Sequence, residues 1–162
     1  MQLNSCRQAL ALAAAALVAI APASRAAEPP PARSTVSAQV AWLRATPPNA
    51  TLAAGYLTLV GGARAARLVG ARSERAARVE IHATLEQDGM LSMRPVAGVD
   101  VPAHGRVALA PMGTHLMLIG LDAPLLAGQR VRLTLSFADG SSLPVEATVL
   151  AAGAMPEGGG HH

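Results

Sequence analysis

Arg130-Val131-Arg132-Leu133-Thr134-Leu135-Ser136-Phe137-Ala138-Asp139-Gly140-Ser141-Ser142-Leu143-Pro144-Val145-Glu146-Ala147-Thr148-Val149 is the stretch that decides the fold class. Val131, Leu133, Leu135 and Phe137 alternate with Arg132, Thr134 and Ser136. A strand places alternate residues on opposite faces, so this pattern gives one apolar side and one wet side. Asp139-Gly140 is a turn dipeptide, and beyond it Leu143, Val145, Ala147 and Val149 resume the alternation. The segment reads as an antiparallel hairpin. It carries no chemistry of its own.

The same grammar extends toward the N-terminus. Short apolar runs are separated by Gly, Pro, Asn and Asp, which is a β pattern. Expected strands are 36–43, 54–60, 66–69, 78–84, 91–95, 106–109, 115–121, 130–137 and 143–149. Turn signals fall between them at Thr46-Pro47-Pro48-Asn49, Gly61-Gly62, Asp88-Gly89 and Pro111-Met112-Gly113. No segment after the first residues holds a 3.6-residue period, and no internal repeat is visible. The fold class is therefore all-β, a Greek-key β-barrel or sandwich. Trp42, Tyr56 and Phe137 are the only aromatic residues, so the core must come from Val, Leu, Ile and Ala.

The first 26 residues read differently. Arg7 precedes an apolar run from Ala9 to Ala21, and Ser24-Arg25-Ala26 offers small residues for a signal peptidase. The run is too short and Ala-rich for a comfortable membrane span. A cleavable signal peptide over 1–26 is expected, with export to the periplasm and no membrane span in the mature chain. A lipid anchor would need a cysteine just after the run, but the only cysteine, Cys6, lies before it. Residues 27–35 form a Pro-rich lead-in, 36–150 the domain, and 151–162 a flexible Gly/His tail. Cleavage would leave about 136 residues, enough for one domain. The chain has 13 Lys+Arg, all of them Arg, against 10 Asp+Glu. Losing Arg7 and Arg25 would bring the balance close to neutral. Arg64, Arg67, Arg72, Arg75 and Arg78 read as a solvated face offset by Glu74 and Glu80. No Arg stripe interleaved with aromatics suggests nucleic acid.

The chemistry gathers in two segments. His115 and Met117 share one face of the apolar run Thr114-His115-Leu116-Met117-Leu118-Ile119. His82 and Met93 lie on two upstream strands joined by a turn, where they are expected roughly opposite each other. Val79 and Ile81 should face the core, which turns His82 to the other side. Two imidazoles and two thioethers make four neutral ligands. Thioether softness points to Cu(I) and away from zinc or calcium. Neutral ligands also leave the ion's charge uncompensated, which favours release to a thiolate.

The order His82, Met93, His115-Leu116-Met117 resembles the signature of the periplasmic PCuAC copper chaperones. Similar flanking residues run from Ala45-Thr46-Pro47-Pro48-Asn49 and Ala54-Gly55-Tyr56-Leu57 through Val79-Glu80-Ile81-His82 and Met93-Arg94-Pro95-Val96 to Pro111-Met112-Gly113-Thr114. The resemblance covers about Val36 to Val149. It implies a cupredoxin-like barrel that binds Cu(I) through His82, Met93, His115 and Met117. It also implies delivery to the CuA centre of cytochrome c oxidase, alongside a Sco-type thiol protein. A blue-copper site is not implied, since that needs a cysteine thiolate. Many members carry Met where Ala83 and Leu91 stand here.

Met90 is an auxiliary metal candidate. The tail residues Met155, His161 and His162 are others, suited to a second copper as Cu(II). Met112 reads as a turn residue packed over the barrel end, and His104 as an exposed loop residue. The expected function is Cu(I) carriage by a monomer, with copper sequestration as the alternative and an adhesive β-sandwich as a third reading. No nucleophile–base pair suggests an enzyme.

Overall fold

The computed structural model describes residues 35–87 and 89–156. The expected signal peptide and almost all of the lead-in lie outside them, as do His161 and His162 of the tail. Ten strands follow in order: β1 (Val36–Arg44), β2 (Leu52–Gly61), β3 (Ala66–Ser73), β4 (Ala76–Gln87), β5 (Met90–Pro95), β6 (Val99–Val101), β7 (Arg106–Leu109), β8 (Thr114–Leu121), β9 (Arg130–Phe137) and β10 (Ser142–Leu150). No helix occurs among the described residues. The nine expected strands are all present. The additional one is β6, three residues too short to show alternation.

Neighbouring strands run β4-β8-β2-β1-β10-β9-β3, and β3 pairs back onto β4, which closes a seven-stranded barrel. All these pairings are antiparallel except β1 with β10. β5 extends outward from β4, and β6 from β3. The expected hairpin β9–β10 is present, with Leu133 opposite Val145 and Val131 opposite Ala147. Gly140 has a φ of 78°, the turn geometry that glycine supplies at little cost.

The alternation fills the barrel. Leu43, Leu57, Leu59, Leu68, Leu116, Leu118, Leu133 and Leu135 form the centre of its core, together with Val79 and Ile81. Their strand neighbours point outward. On β4 and β8 those outward residues are the ones that carry chemistry.

Candidate metal site

β4 and β8 pair with His82 opposite His115 and Glu80 opposite Met117. Because residues two apart in a strand share a face, these four side chains form one patch outside the barrel. Ile81 and Leu116, directly beneath it, are buried in the core. The two imidazole rings lie 6.1 Å apart, centre to centre, and are tilted by 53°.

Met93 joins the patch from β5. It stands opposite Thr84, while His82 stands opposite Pro95. His82 and Met93, expected roughly opposite each other, are offset by two residues. A two-residue shift preserves the face, so Met93 is a diagonal neighbour of His82, a distance a long side chain spans. Met93 is 60% exposed, whereas His115 is 3% exposed.

Each histidine has one nitrogen engaged. His115 Nδ1–H donates to the Gly113 carbonyl at 3.0 Å, which leaves Nε2 as the lone-pair nitrogen. His82 Nε2–H donates to Glu80 Oε2 at 2.8 Å. His82 Nδ1 is buried and has no hydrogen-bond partner. A buried acceptor left unpaired is costly unless something else fills its lone pair. A metal ion would do so. The Glu80–His82 pair also has the form of a carboxylate that orients a metal-binding imidazole.

Glu80 is the residue the sequence reading missed. Arg78 Nε donates to its other oxygen at 2.8 Å. The hydrogen bond from His82 comes first, that from Arg78 second, in holding the Glu80 carboxyl below its ordinary range. The four candidate ligands are neutral, but a carboxylate stands directly behind one of them. The only signal was its position, two residues before His82 on the same strand face.

A row of rings backs the site. Trp42 and Tyr56 are paired across β1 and β2, with ring centres 4.3 Å apart. Tyr56 lies 6.2 Å from the His115 ring. Trp42 and Tyr56 are buried but stand apart from the barrel core. The scarcity of aromatics pointed to a small aliphatic core and not to this second use. Arg44 covers Trp42 at 5.7 Å.

Other candidates fall elsewhere. Met90 is three residues before Met93, hence on the opposite face of β5, and is exposed. Met155 is exposed beyond β10. Met112 does not pack over the barrel end: it is 70% exposed, with a φ of 64°. His104 is an exposed loop residue with a φ of 55°. In the Arg cluster, Arg67 pairs with Asp100, Arg75 with Asp122 and Arg78 with Glu80. Of the two expected counter-charges, Glu80 has this role, while Arg75 turns to Asp122 in place of Glu74.

The pattern of the family described as "Putative lipoprotein LpqE-like" matches residues 36–149. The chain belongs to the LpqE-like family. A Leifsonia xyli subsp. xyli relative named "Putative lipoprotein Lxx21020" is 39% identical to this LpqE-like chain over 115 residues, 70% of this chain and 69% of the relative. The solution structure of CuI-DR1885 from Deinococcus radiodurans is 37% identical, with a TM-score of 0.55 over 68% of this chain and 74% of that one. The copper-bound PCuAC domain from PmoF2 is 26% identical, with a TM-score of 0.60 over 72% and 92%. The cupredoxin-like barrel expected for a PCuAC protein is the fold of this LpqE-like chain. The word lipoprotein belongs to those names, and Cys6, the sole cysteine here, lies outside the described residues.

Proposed function

We propose that this protein is a Cu(I) carrier of the bacterial envelope, holding the ion through His82 Nδ1, His115 Nε2, Met93 and Met117. The observation that carries this reading is the buried, unpartnered Nδ1 of His82, aligned by Glu80 beside the His115 ring. Among the described residues no three His, Cys, Asp or Glu side chains converge as a metal cage. The thioethers of Met93 and Met117 on the same face complete the donor set, and these select the soft Cu(I) ion. The similar PmoF2 domain is copper-bound and the similar DR1885 protein carries CuI, which supports copper as the metal and, for DR1885, this oxidation state.

The copper is cargo. Thioethers are not oxidised to disulfides, and neutral ligands yield readily to a thiolate, so the site suits a carrier and not an enzyme. We assign delivery to the CuA centre of cytochrome c oxidase, with a Sco-type thiol protein alongside, acting from a periplasmic monomer. The purified chain should take up one Cu(I) ion and pass it to an isolated CuA domain. Met93→Ala combined with Met117→Ala should abolish tight binding in competition with a Cu(I) chelator. Unchanged binding by that double variant would remove the site assignment. Loss of oxidase activity at low copper on gene deletion supports delivery, while sensitivity confined to high copper points to sequestration.

A further inference from the structure

We propose that Met112 is a transfer ligand, a thioether outside the resident site that takes Cu(I) as it enters and leaves. The proposal rests on the Cu(I) reading above and adds a step to it.

β7 ends with Leu109 opposite Leu57, and β8 picks up with Leu116 opposite Gly55. Tyr56 is the only β2 residue facing the six residues in between. Of these, residues 110–113 leave the sheet as an excursion before β8 begins at Thr114, pinched at its neck where Ala110 N–H donates to Thr114 O at 2.8 Å. At its tip Gly113 N–H donates to Ala110 O at 3.1 Å, which makes Ala110-Pro111-Met112-Gly113 a β-turn. Pro111 at the second position and a φ of 64° at the third describe a type II turn. That third position calls for glycine, and here methionine occupies it while glycine follows. The excursion thus accepts backbone strain to place a methionine at its tip.

The same excursion touches the site directly. The Gly113 carbonyl, one residue from Met112, accepts the His115 Nδ1–H at 3.0 Å and the Thr84 N–H at 3.3 Å. Thr84 is opposite Met93 on the other side of β4. Met112 and Met93 therefore flank the β4 strand at one level, and both are exposed, at 70% and 60%. A Met side chain turns about three bonds and carries a soft, uncharged donor. His115 is buried and His82 partly buried, whereas this pair meets solvent first. In the step, a Cu–S bond to Met112 forms as one bond to an inner ligand breaks. The ion remains Cu(I), and no proton or electron moves. Acceptor thiolates then form Cu–S bonds as the remaining inner Cu–N and Cu–S bonds break, and Met112 is the last ligand displaced.

The test uses the Cu(I)-loaded chain and a short Cys-x-x-Cys peptide as acceptor, followed by stopped flow. Met112→Leu keeps the bulk and the backbone but removes sulfur. Met112→Gly also relaxes the turn and should raise Tm by roughly 3 °C. Both should hold Cu(I) with wild-type affinity and release it about tenfold more slowly. Met90→Leu, an exposed methionine on the other face of β5, should transfer at the wild-type rate. Wild-type transfer by Met112→Leu would overturn the proposal, as would equal slowing by Met90→Leu. A large loss of equilibrium affinity in Met112→Leu would make Met112 a resident ligand and overturn it too. A wild-type chain that takes up no Cu(I) would instead remove the carrier reading itself.

Discussion

Glu80 does two things to His82: it fixes the proton on Nε2 and it brings a negative charge behind a ring that would bind a cation. Replacing an orienting carboxylate of this kind typically costs about 10–100-fold in metal affinity. Glu80→Leu should therefore weaken Cu(I) binding by at least about tenfold, read by chelator competition. Glu80→Gln, which can still accept the Nε2–H through its amide oxygen, should lose less. Equal affinity in all three proteins would show that His82 needs no such support. At this scale the sequence was legible wherever residue type and spacing suffice, as for His115 and Met117 two apart on one strand. It was not legible for Glu80, because a carboxylate beside Arg78 reads equally well as its counter-charge. Only the hydrogen bond to His82 separates the two readings, and in the structure Glu80 serves both residues.

Strands place these residues, and the strands can be tested beneath the site. Gly55 sits opposite Leu43 on one side and Leu116 on the other. A Cβ added there would lie 2.7 Å from Leu43 Cδ2 and 3.5 Å from Leu116 Cβ. Gly55→Val should overpack the barrel and cost about 1–3 kcal/mol, seen as a lower midpoint in urea. Leu116 stands between His115 and Met117, so the same variant should also weaken Cu(I) binding. Gly70→Ala is the control, since a Cβ there meets nothing within 4 Å. If both variants unfold at the wild-type midpoint, the packing under β8 is looser than described. The existence of the strands followed from alternation and turn residues, and nine of the ten were read from these. Their register did not follow. The β4–β5 turn signal at Asp88-Gly89 permits several pairings, and the shift of His82 from Met93 to Pro95 preserves the face and hence the apolar pattern. β6 carries too few residues to show any period, so only its pairing with β3 defines it.

The barrel as a whole is closed by its thinnest pairing. β3 meets β4 through a single register pair, Ala71 opposite Val79, while β4 and β8 share an extended ladder. No sequence signal announced this seam, because β3 and β4 are joined by Glu74-Arg75, which has none of the Gly, Asn or Asp residues that mark a tight hairpin turn. Just beside it, Arg75 in the β3–β4 turn holds Asp122, the residue following β8. Arg75 Nε donates to the Asp122 carboxylate at 2.8 and 3.1 Å, and Asp122 N–H donates to Arg75 O at 3.2 Å. That hydrogen bond from Arg75 is the main reason the Asp122 carboxyl lies below its ordinary range. A carboxyl lowered in the folded state binds protons less readily there than in the unfolded chain, so its stabilisation is full above the unfolded value. It is lost as pH falls through the lower folded value. The window therefore begins near about pH 4, the ordinary carboxylate range, and extends below it. Glu80 is lowered too and loses its contribution in the same window, so the comparison belongs in a Glu80→Gln background. There, the parent should lose Tm steadily as pH drops below about 4. Adding Asp122→Asn should lower Tm at pH 7 by a small amount, because the pair is solvent-exposed, and should flatten the acid limb. Hydrogen exchange should place the added opening at Ala71 and Val79 and not in the β9–β10 hairpin. Matching acid limbs in the two proteins would show that the Arg75–Asp122 pair does not hold the seam, leaving closure to the apolar packing of Leu68, Val79 and Leu135 alone.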